Sequence, residues 1–333
     1  MLSTAQELSQ PSIELPSFSL IVETENLANA DLAGLIDSLQ SIAQQQLAPE
    51  RANEVLIIES GDTPPELLAQ LCDRYPWLRV EPVPADTGYY KAKMLGAAIA
   101  TGEVVVYCDS DCIYEPTWLE QMLRPFAQQP EVQVVAGETK TRGMGSYGLA
   151  MAIVYIFPPY SGQSELAPTS QYFLNNVAFR RSLLLHQTIP LSLPLYRGNC
   201  VIHARELLQQ GTTIWRQPLA RATHAPPDGF SHFFWRFLLI GHDYYWQRHL
   251  LAQGATPPVP DGVFRESGLP GKLQVLDERV GKLLGRSPQN WLYLPLAVPI
   301  VLLAVALIAA GYWITRFQPR YLLMTYDRLL NEA

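Results

Sequence analysis

The chain has 333 residues, with 31 acidic residues against 24 lysines and arginines, and therefore a formal net charge of −7. Because nucleic-acid binding generally needs a basic surface, this balance argues against a nucleic-acid partner. Hydrophobic residues make up 48% of the chain, which is too many for a disordered protein, and the length suits one large domain or two ordinary ones.

The N-terminal extension, residues 1–16, contains glutamates and prolines but no basic stretch followed by an apolar one. It is therefore not expected to be a signal peptide. The four cysteines lie apart without CxxC pairing, which argues against a disulfide-stapled secreted domain and favours a reducing compartment.

Residues 17–232 alternate short apolar segments with segments of helical periodicity. The apolar runs predict strands at 18–22, 55–58, 78–83, 104–107 and 132–136. The intervening periodicity predicts helices at 27–46, 65–75, 91–101 and 117–128. Buried strands separated by helices predict an α/β fold whose central sheet is mostly parallel and covered on both faces.

The character changes further along the chain. Residues 233–286 are expected to form amphipathic or interfacial helices and a linker. Residues 288–315 contain no charged residue and are long enough for a transmembrane helix. Trp291 and Trp313 near its two ends resemble the aromatic belts of membrane interfaces. A buried core helix kinked by Pro295 and Pro299 is the alternative.

The basic tail, residues 316–333, carries arginines, and arginines and a lysine also precede the apolar run. Since both flanks are basic, the positive-inside rule does not orient the helix.

The strongest chemical signal is Asp109-Ser110-Asp111, directly after an apolar strand. Carboxylates there face the crevice in which α/β sheets bind ligands. Their oxygens suit Mn²⁺ or Mg²⁺ shared with substrate phosphates, although a solvated turn is the alternative. Glu59 also ends a strand and could accept hydrogen bonds from a nucleobase or ribose. Lys91 and Lys93 could neutralise a diphosphate, although at least one of them is expected to be solvated.

Four segments, residues 19–26, 56–62, 91–103 and 104–111, occur in the order and spacing of family 2 glycosyltransferases. The chain resembles that family over about residues 17–245. The resemblance implies a GT-A fold, which is an α/β nucleotide-diphospho-sugar transferase fold. It also implies a nucleotide-diphospho-sugar donor and Mn²⁺ or Mg²⁺ as cofactor.

The resemblance also implies roles for individual residues on the donor side. Thr24 and Glu25 would line the nucleotide pocket, and Glu59 would read the base. Lys91 or Lys93 would approach the nucleotide or its diphosphate.

Further positions of the family correspond to the metal and acceptor sites. Asp109 would lie near the ribose and the metal, and Asp111 would bind the metal with His224. Arg236 would reach toward the diphosphate or the acceptor. The acceptor side would include Asn176 and Arg197.

One departure from the family concerns the general base. The Glu-Asp pair that usually supplies it in inverting members falls on Asn199 and Cys200. Another group could take the proton, with Asp228, His203 and Glu138 as candidates. Alternatively, the enzyme is of the retaining type, or the site binds without turnover. Since a general base contributes typically 10²–10⁴-fold, its loss would slow an enzyme severely.

The expected function is metal-dependent transfer of a sugar to a hydroxyl of a membrane-proximal or lipid-linked acceptor or glycan. A single C-terminal span would anchor the chain in the inner (cytoplasmic) membrane, with the catalytic domain in the cytosol, where nucleotide sugars and reduced cysteines occur. The alternatives are a catalytically degenerate scaffold subunit of a polysaccharide or glycolipid assembly, and a retaining GT-A transferase.

Overall fold

A computed structural model of the protein describes residues 14–24, 32–61, 63–252, 279–285 and 288–332. The strands are β1 (Phe18–Glu23), β2 (Glu54–Glu59), β3 (Leu78–Pro82), β4 (Val104–Asp109), β5 (Cys112–Tyr114), β6 (Val134–Thr141), β7 (Ala167–Thr169), β8 (Asn176–Arg180) and β9 (Ile214–His224). The helices are α1 (Leu32–Ala43), α2 (Pro65–Arg74), α3 (Tyr89–Ile99), α4 (Trp118–Gln128), α5 (Gly145–Val154), α6 (Arg181–His186), α7 (Asn199–Gln209), α8 (Gly229–Ala252), α9 (Asn290–Phe317) and α10 (Tyr321–Glu332).

The strands form one sheet in the order β3-β2-β1-β4-β8-β6-β9-β5, and β7 also pairs with β9. Strands β1 to β4 are parallel, β8 is antiparallel to its neighbours β4 and β6, and β9 is parallel to β6. The expectation of a mostly parallel α/β sheet is confirmed. The carboxyl ends of β1, β2, β4, β6 and β9 consequently lie along one edge.

The apolar runs of the sequence are buried on both faces of this sheet. Every residue of β1 and β4 is buried, as expected for central parallel strands. Helices α1, α2 and α4 cover one face, and α3, α6 and α7 cover the other.

A separate helical layer, formed by α5, α8, α9 and α10, has its own apolar core. In the part of the chain that the structure describes, α9 is the one helix with the length and composition to cross a membrane. One face of α9 packs against α5 and α8, and much of its remaining surface is exposed.

Helices α8 and α9 touch through their backbones. A Cβ atom on Gly241 would lie 2.0 Å from the carbonyl oxygen of Ile308, and one on Gly311 would lie 2.0 Å from that of Leu238. Only glycine fits at so close an approach. Beside this crossing, the His242 Nδ1 and Thr315 Oγ1 atoms are 2.9 Å apart. The helix therefore belongs to the folded body along this face.

Candidate active site

A cleft of about 350 Å³ opens at the edge where the strands end. Its lining includes Asp111, Arg142 and His224, together with residues from the start of α8. A larger cavity, of about 600 Å³, lies near Phe18 and Arg180, at the other edge of the sheet. The smaller cleft is the candidate site because it contains the carboxylate and imidazole groups, at the edge where α/β sheets bind ligands.

Strand pairing brings Asp111 and His224 together across 113 positions of sequence. Because β5 pairs with β9, Cys112 faces His224, and the Ala225 N–H donates a hydrogen bond to the Asp111 carbonyl oxygen at 3.1 Å. The His224 Nε2 atom consequently lies 3.1 Å from the Asp111 Oδ2 atom.

The hydrogen bonds of His224 suit a metal ligand. Its Nδ1–H group donates to the Ala225 carbonyl oxygen, which fixes the ring with Nε2 turned toward Asp111. Metal-binding histidines are commonly held in this way. An imidazole nitrogen and a carboxylate oxygen that face each other suit a cation between them, and this donor set is compatible with Mn²⁺ or Mg²⁺. Cys112 lies in the same group, and burial raises the pKa of its thiol.

Asp109 makes its contacts inside the protein. Its carboxylate accepts a hydrogen bond from Lys93 Nζ at 2.6 Å and another from the Tyr89 hydroxyl at 2.9 Å. Lys93 is fully buried, so its side chain holds Asp109 instead of facing solvent. Lys91, on the same helix, is exposed. The structure therefore separates Asp109 from the group formed by Asp111 and His224.

The ends of β1 and β2 carry the residues that the resemblance assigns to the nucleotide side. Thr24 is buried, and its hydroxyl donates to the Ile58 carbonyl oxygen. Glu59 Oε1 accepts the N–H groups of Gly61 and Thr63, so this side chain does shape the turn. Its Oε2 atom is buried and has no hydrogen-bond partner among the described residues. Glu25 lies outside the described residues.

The sequence reasoning missed Arg142. Its backbone N–H donates to the His224 carbonyl oxygen at 2.9 Å, because β6 ends beside β9. Its side chain lines the cleft, where the buried Nη1 atom has no hydrogen-bond partner among the described residues. No local motif marks this residue, and only the pairing of β6 with β9 places it there.

Arg236 also lines the cleft. Its Nε atom donates to the Tyr155 hydroxyl at 2.9 Å, and its guanidinium also lies 5.4 Å from the centre of the Tyr196 ring. Both tyrosines line the cleft and were not singled out from the sequence. The arginines give the cleft positive charge close to Asp111, an arrangement that suits phosphate oxygens.

The three candidate bases lie in different places. Asp228 is exposed and lines the cleft. Glu138 is not among the described residues of the lining, and its carboxylate accepts the Ser161 N–H at 2.9 Å. His203 is buried, with both ring nitrogens engaged by the Tyr172 hydroxyl and the Gln187 carbonyl oxygen. Burial lowers the His203 pKa to about 4. The structure thus brings one of the three candidates, Asp228, to the cleft.

The two residues expected on the acceptor side also differ in position. Asn176 is fully buried within the sheet, where its amide nitrogen donates to the Ala220 carbonyl oxygen and its Oδ1 atom accepts the Trp118 indole N–H. It is therefore a structural residue of the sheet. The Arg197 guanidinium lies 4.2 Å from the centre of the Tyr89 ring, whose hydroxyl group donates to the Asp109 carboxylate.

The positions of the missing Glu-Asp pair are buried at the start of α7. Asn199 donates to the Pro190 carbonyl oxygen, and burial raises the Cys200 pKa to about 11.

A carboxylate from elsewhere in the chain contacts the turn that precedes α7. Asp243 of α8 accepts the N–H groups of Tyr196 at 2.7 Å and Arg197 at 2.9 Å. Asp243 thus fixes the turn that presents Tyr196 to the cleft, and burial raises its pKa to about 6.

Comparison with known families adds to this geometry. The model of glycosyl transferase family 2 matches residues 27–186, which include the strand ends with Glu59, Asp109 and Asp111. Residues 27–186 belong to glycosyl transferase family 2. The chain is 29% identical over 215 residues to N-acetylgalactosaminyltransferase 6 of Drosophila melanogaster, covering 61% of the chain and 30% of that protein.

A second relative is polypeptide N-acetylgalactosaminyltransferase 10 of Homo sapiens, 26% identical over 117 residues. That match covers 34% of the chain and 19% of the relative. The chain therefore spans less than a third of the length of each of these two curated relatives.

Solved structures share the fold. Mannosyltransferase PcManGT from Pyrobaculum calidifontis, in complex with GDP-Man and Mn²⁺, has a TM-score of 0.55 at 18% identity, covering 97% of this chain and 89% of that one. GalNAc-T7 with UDP, GalNAc and Mn²⁺ has a TM-score of 0.53 at 14% identity, covering 79% and 54%. At these identities the similarity establishes the GT-A-like α/β fold.

Proposed function

We propose that this protein transfers a sugar from a nucleotide-diphospho-sugar to a hydroxyl group of a membrane-proximal or lipid-linked acceptor. The observation that carries the proposal is the approach of His224 Nε2 to Asp111 at 3.1 Å, in a cleft where an Arg142 guanidinium nitrogen has no hydrogen-bond partner among the described residues. A carboxylate and an imidazole suit a divalent cation, and a guanidinium suits the phosphate oxygens that such a cation accompanies.

The nucleoside would bind at the ends of β1 and β2. Glu59 Oε2 is a buried acceptor without a hydrogen-bond partner among the described residues, and a buried acceptor left unpaired costs about 1–3 kcal/mol. A nucleobase N–H would satisfy it. Asp109, held by Lys93 and Tyr89, would lie on the ribose side, in the position that the family resemblance implies.

The diphosphate would lie over the cleft. Asp111 and His224 would hold Mn²⁺ or Mg²⁺, which supplies Lewis-acid stabilisation of the departing nucleotide diphosphate. Arg142 and Arg236 would donate hydrogen bonds to the phosphate oxygens and stabilise the same developing charge.

During transfer, the acceptor oxygen forms a bond to the anomeric carbon, and the bond from that carbon to the diphosphate breaks. The nucleotide diphosphate leaves with the electron pair. The Asp228 carboxylate, exposed on the cleft lining between β9 and α8, would take the proton of the acceptor hydroxyl. This assignment replaces the carboxylate that is missing at Asn199 and Cys200.

Membrane attachment would come from α9, whose outer face is apolar and exposed. An anchored enzyme meets acceptors at the membrane, which favours a lipid-linked or membrane-proximal hydroxyl. Because all four cysteines are unpaired, the cytosolic side of the membrane suits the catalytic domain.

Titration calorimetry of the full chain in detergent tests the donor site, with UDP and GDP, with and without Mn²⁺. We expect binding of one nucleotide that depends on Mn²⁺ and is lost in Asp111→Asn. Asp37→Asn is the matched control, because Asp37 is an exposed acid of the same lining outside the candidate metal group. Unchanged Mn²⁺-dependent binding by Asp111→Asn would overturn the assigned metal site.

Turnover separates an enzyme from a scaffold subunit. We expect Asp228→Asn to retain nucleotide binding and to lose roughly 10²–10⁴-fold in transfer rate, which is the usual contribution of a general base. Full activity of this variant would remove Asp228 from the mechanism and favour a retaining reaction. Nucleotide binding by the wild-type chain without transfer from any donor would favour the degenerate scaffold.

A further inference from the structure

The segments on both sides of α9 contact the same wall of the cleft. Before α9, the Arg279 guanidinium donates hydrogen bonds to the carbonyl oxygens of Ile153 and Tyr155. After α9, the Tyr326 ring of α10 packs 5.3 Å from the Tyr196 ring. Tyr155 and Tyr196 both line the cleft, and the Arg236 guanidinium lies between 5 and 6 Å from each ring, at 5.6 and 5.4 Å.

This arrangement conflicts with a simple crossing of the membrane. A helix of 28 residues is about 42 Å long, enough to place its ends on opposite sides of a hydrocarbon core of about 30 Å. The segments before and after such a helix would then lie on opposite sides of the membrane. They could not both reach Tyr155 and Tyr196, because these two rings lie close to the same Arg236 guanidinium. If α9 crossed with its neighbours in place, α8 would carry the buried charges of Arg236 and Asp243 toward the hydrocarbon, where charges are costly.

The outer face of α9 nevertheless needs an apolar partner. Large side chains are exposed along its whole length: Trp291, Leu292, Leu296, Leu302, Leu303, Trp313 and Phe317. Tyr321 and Met324 extend this exposed surface into α10. Exposed apolar surface of this extent marks an interaction surface.

Charges at the ends of this face indicate what covers it. The exposed Arg316 lies 5.1 Å from the centre of the Trp313 ring, and Arg320 and Arg328 are exposed nearby in the sequence. Aromatic rings with adjacent arginines suit the boundary between acyl chains and anionic headgroups. Basic residues on both flanks also suit two ends that remain on one side of a membrane.

We infer that α9 lies along the surface of an anionic lipid bilayer without crossing it. Its outer face is immersed in the acyl chains, and its two ends lie on the same side as the catalytic domain. The inference deepens the proposed membrane attachment and rests on it. The cleft wall formed by α8 then lies close to the bilayer surface, so the acceptor class is a membrane lipid whose hydroxyl group is carried in the headgroup region.

Cysteine labelling in membrane vesicles tests the orientation of the full chain. Gln289→Cys and Gln318→Cys place thiols at exposed positions just before and just after α9, in a chain that carries Cys72→Ser. The unaltered chain, with its partly exposed Cys72, reports the side of the catalytic domain. We expect an impermeant maleimide to label both introduced cysteines in the vesicle orientation that labels Cys72, and neither in the opposite one.

Each other outcome overturns the inference in a recognisable way. Labelling of the two cysteines from opposite sides would establish a single crossing. A chain that does not sediment with membranes would remove membrane attachment, and a stable dimer in detergent-free solution would assign the face to a second copy. None of these results depends on nucleotide binding, so failure of the proposed transferase activity is measured separately by calorimetry.

Vesicle flotation tests the headgroup charge. We expect the chain to bind vesicles of phosphatidylglycerol and phosphatidylcholine more tightly than pure phosphatidylcholine. Substituting Arg316→Gln and Arg320→Gln together should weaken binding to the anionic vesicles by about fivefold per charge. Arg79→Gln, on the edge strand β3, is the control for a change of net charge. Equal binding to both vesicle types, or no effect of the double substitution, would overturn the anionic assignment.

Discussion

Two regions of the molecule accommodate their buried charged side chains in different ways. One is the donor half, named for its proposed role and made of β1–β4 with α1–α3, and the other is the helical layer. In the donor half, the buried Lys93 and Asp109 pair with each other, and Tyr89 completes the set. In the helical layer, aromatic rings surround Arg236, and glycines bring the α8 and α9 backbones into contact. Under the proposed function, the nucleotide side would thus be preformed by buried ion pairing, whereas the acceptor wall would depend on how the helices of the helical layer pack.

Removing Lys93 should have the largest effect on stability. Lys93→Ala leaves Asp109 buried without its cation, which typically costs 3–5 kcal/mol. We expect the thermal midpoint of the detergent-solubilised chain to fall by roughly 10 °C. Lys91→Ala is the matched control, because Lys91 is exposed on the same helix. Equal midpoints for the two variants would show that the buried pair does not hold the donor half together.

Low pH should lower the stability of the second half of the chain more than that of the first. Histidines gain a proton in this pH range, and all six of them lie at or beyond His186. Burial lowers the pKa of both His203 and His242 to about 4 from an ordinary value of 6.5. Because these two residues bind more protons in the unfolded chain between these values, their contribution to stability is full above pH 6.5 and is lost as the pH drops toward 4, by up to about 3 kcal/mol for each residue.

Thermal midpoints measured from pH 7.5 to pH 5 check this prediction. The fall should be smaller in His203→Gln, which no longer titrates at that position. A fall of the same size in this variant would remove His203 as a source of the pH dependence.

Separating α9 from α8 should lower the stability by a smaller amount, and the effect should be confined to the helical layer. In Gly311→Ala the added methyl group would meet the Leu238 carbonyl oxygen, and overpacking of this kind costs about 1–3 kcal/mol. Gly281→Ala is the control, since a Cβ atom there meets nothing within 4 Å. We expect the first variant to lower the thermal midpoint while nucleotide affinity is unchanged. A loss of nucleotide affinity would show that the two regions are coupled more tightly than the comparison implies.

The hydroxyl group of Tyr326 should matter least. It lies 3.4 Å from the Tyr196 hydroxyl, at the limit of a hydrogen bond, while the two rings keep their packing in Tyr326→Phe. We expect a change below about 0.5 kcal/mol in stability and less than threefold in the KM for the acceptor. Tyr321→Phe, at an exposed ring, is the control. A larger effect on that KM would mean that the hydroxyl pair orders the acceptor wall.

Much of the donor half could be predicted from local sequence. Central parallel strands are buried on both faces, so they appear as short apolar runs, and the carboxylates that follow them must lie at one edge. Asp111 follows from this pattern and His224 from the family resemblance, and the structure brings the two side chains together. Their contact itself depends on the pairing of β5 with β9, which no local pattern encodes.

The roles of other site residues could not be predicted, because each role depends on whether the side chain is buried in the folded protein. Lys93 has the same side chain as Lys91, and only its fully buried position commits it to Asp109. Asn176 was expected to face the acceptor, whereas the sheet uses its amide internally. Arg142 and Asp243 belong to no motif, and their positions follow from tertiary contacts that are distant in sequence.

The apolar run of α9 shows the same limit. Its composition indicates either lipid or a protein core, and the structure packs one face of the helix against protein and leaves the other face exposed. The small residues Ala297, Ala304 and Gly311 form the inner seam, and their spacing is visible in the sequence only once the packed face is known.

The crossing of α8 and α9 has a practical consequence for producing the protein without detergent. A chain shortened to end at residue 286 would lose the inner seam of α9 and, with α10, the Tyr326 ring beside Tyr196. The α8 face opposite the cleft would then be exposed to water. A soluble form is better sought by replacing outward residues such as Leu292, Leu296 and Leu302 with polar ones, which keeps α9 as the outer wall of the enzyme.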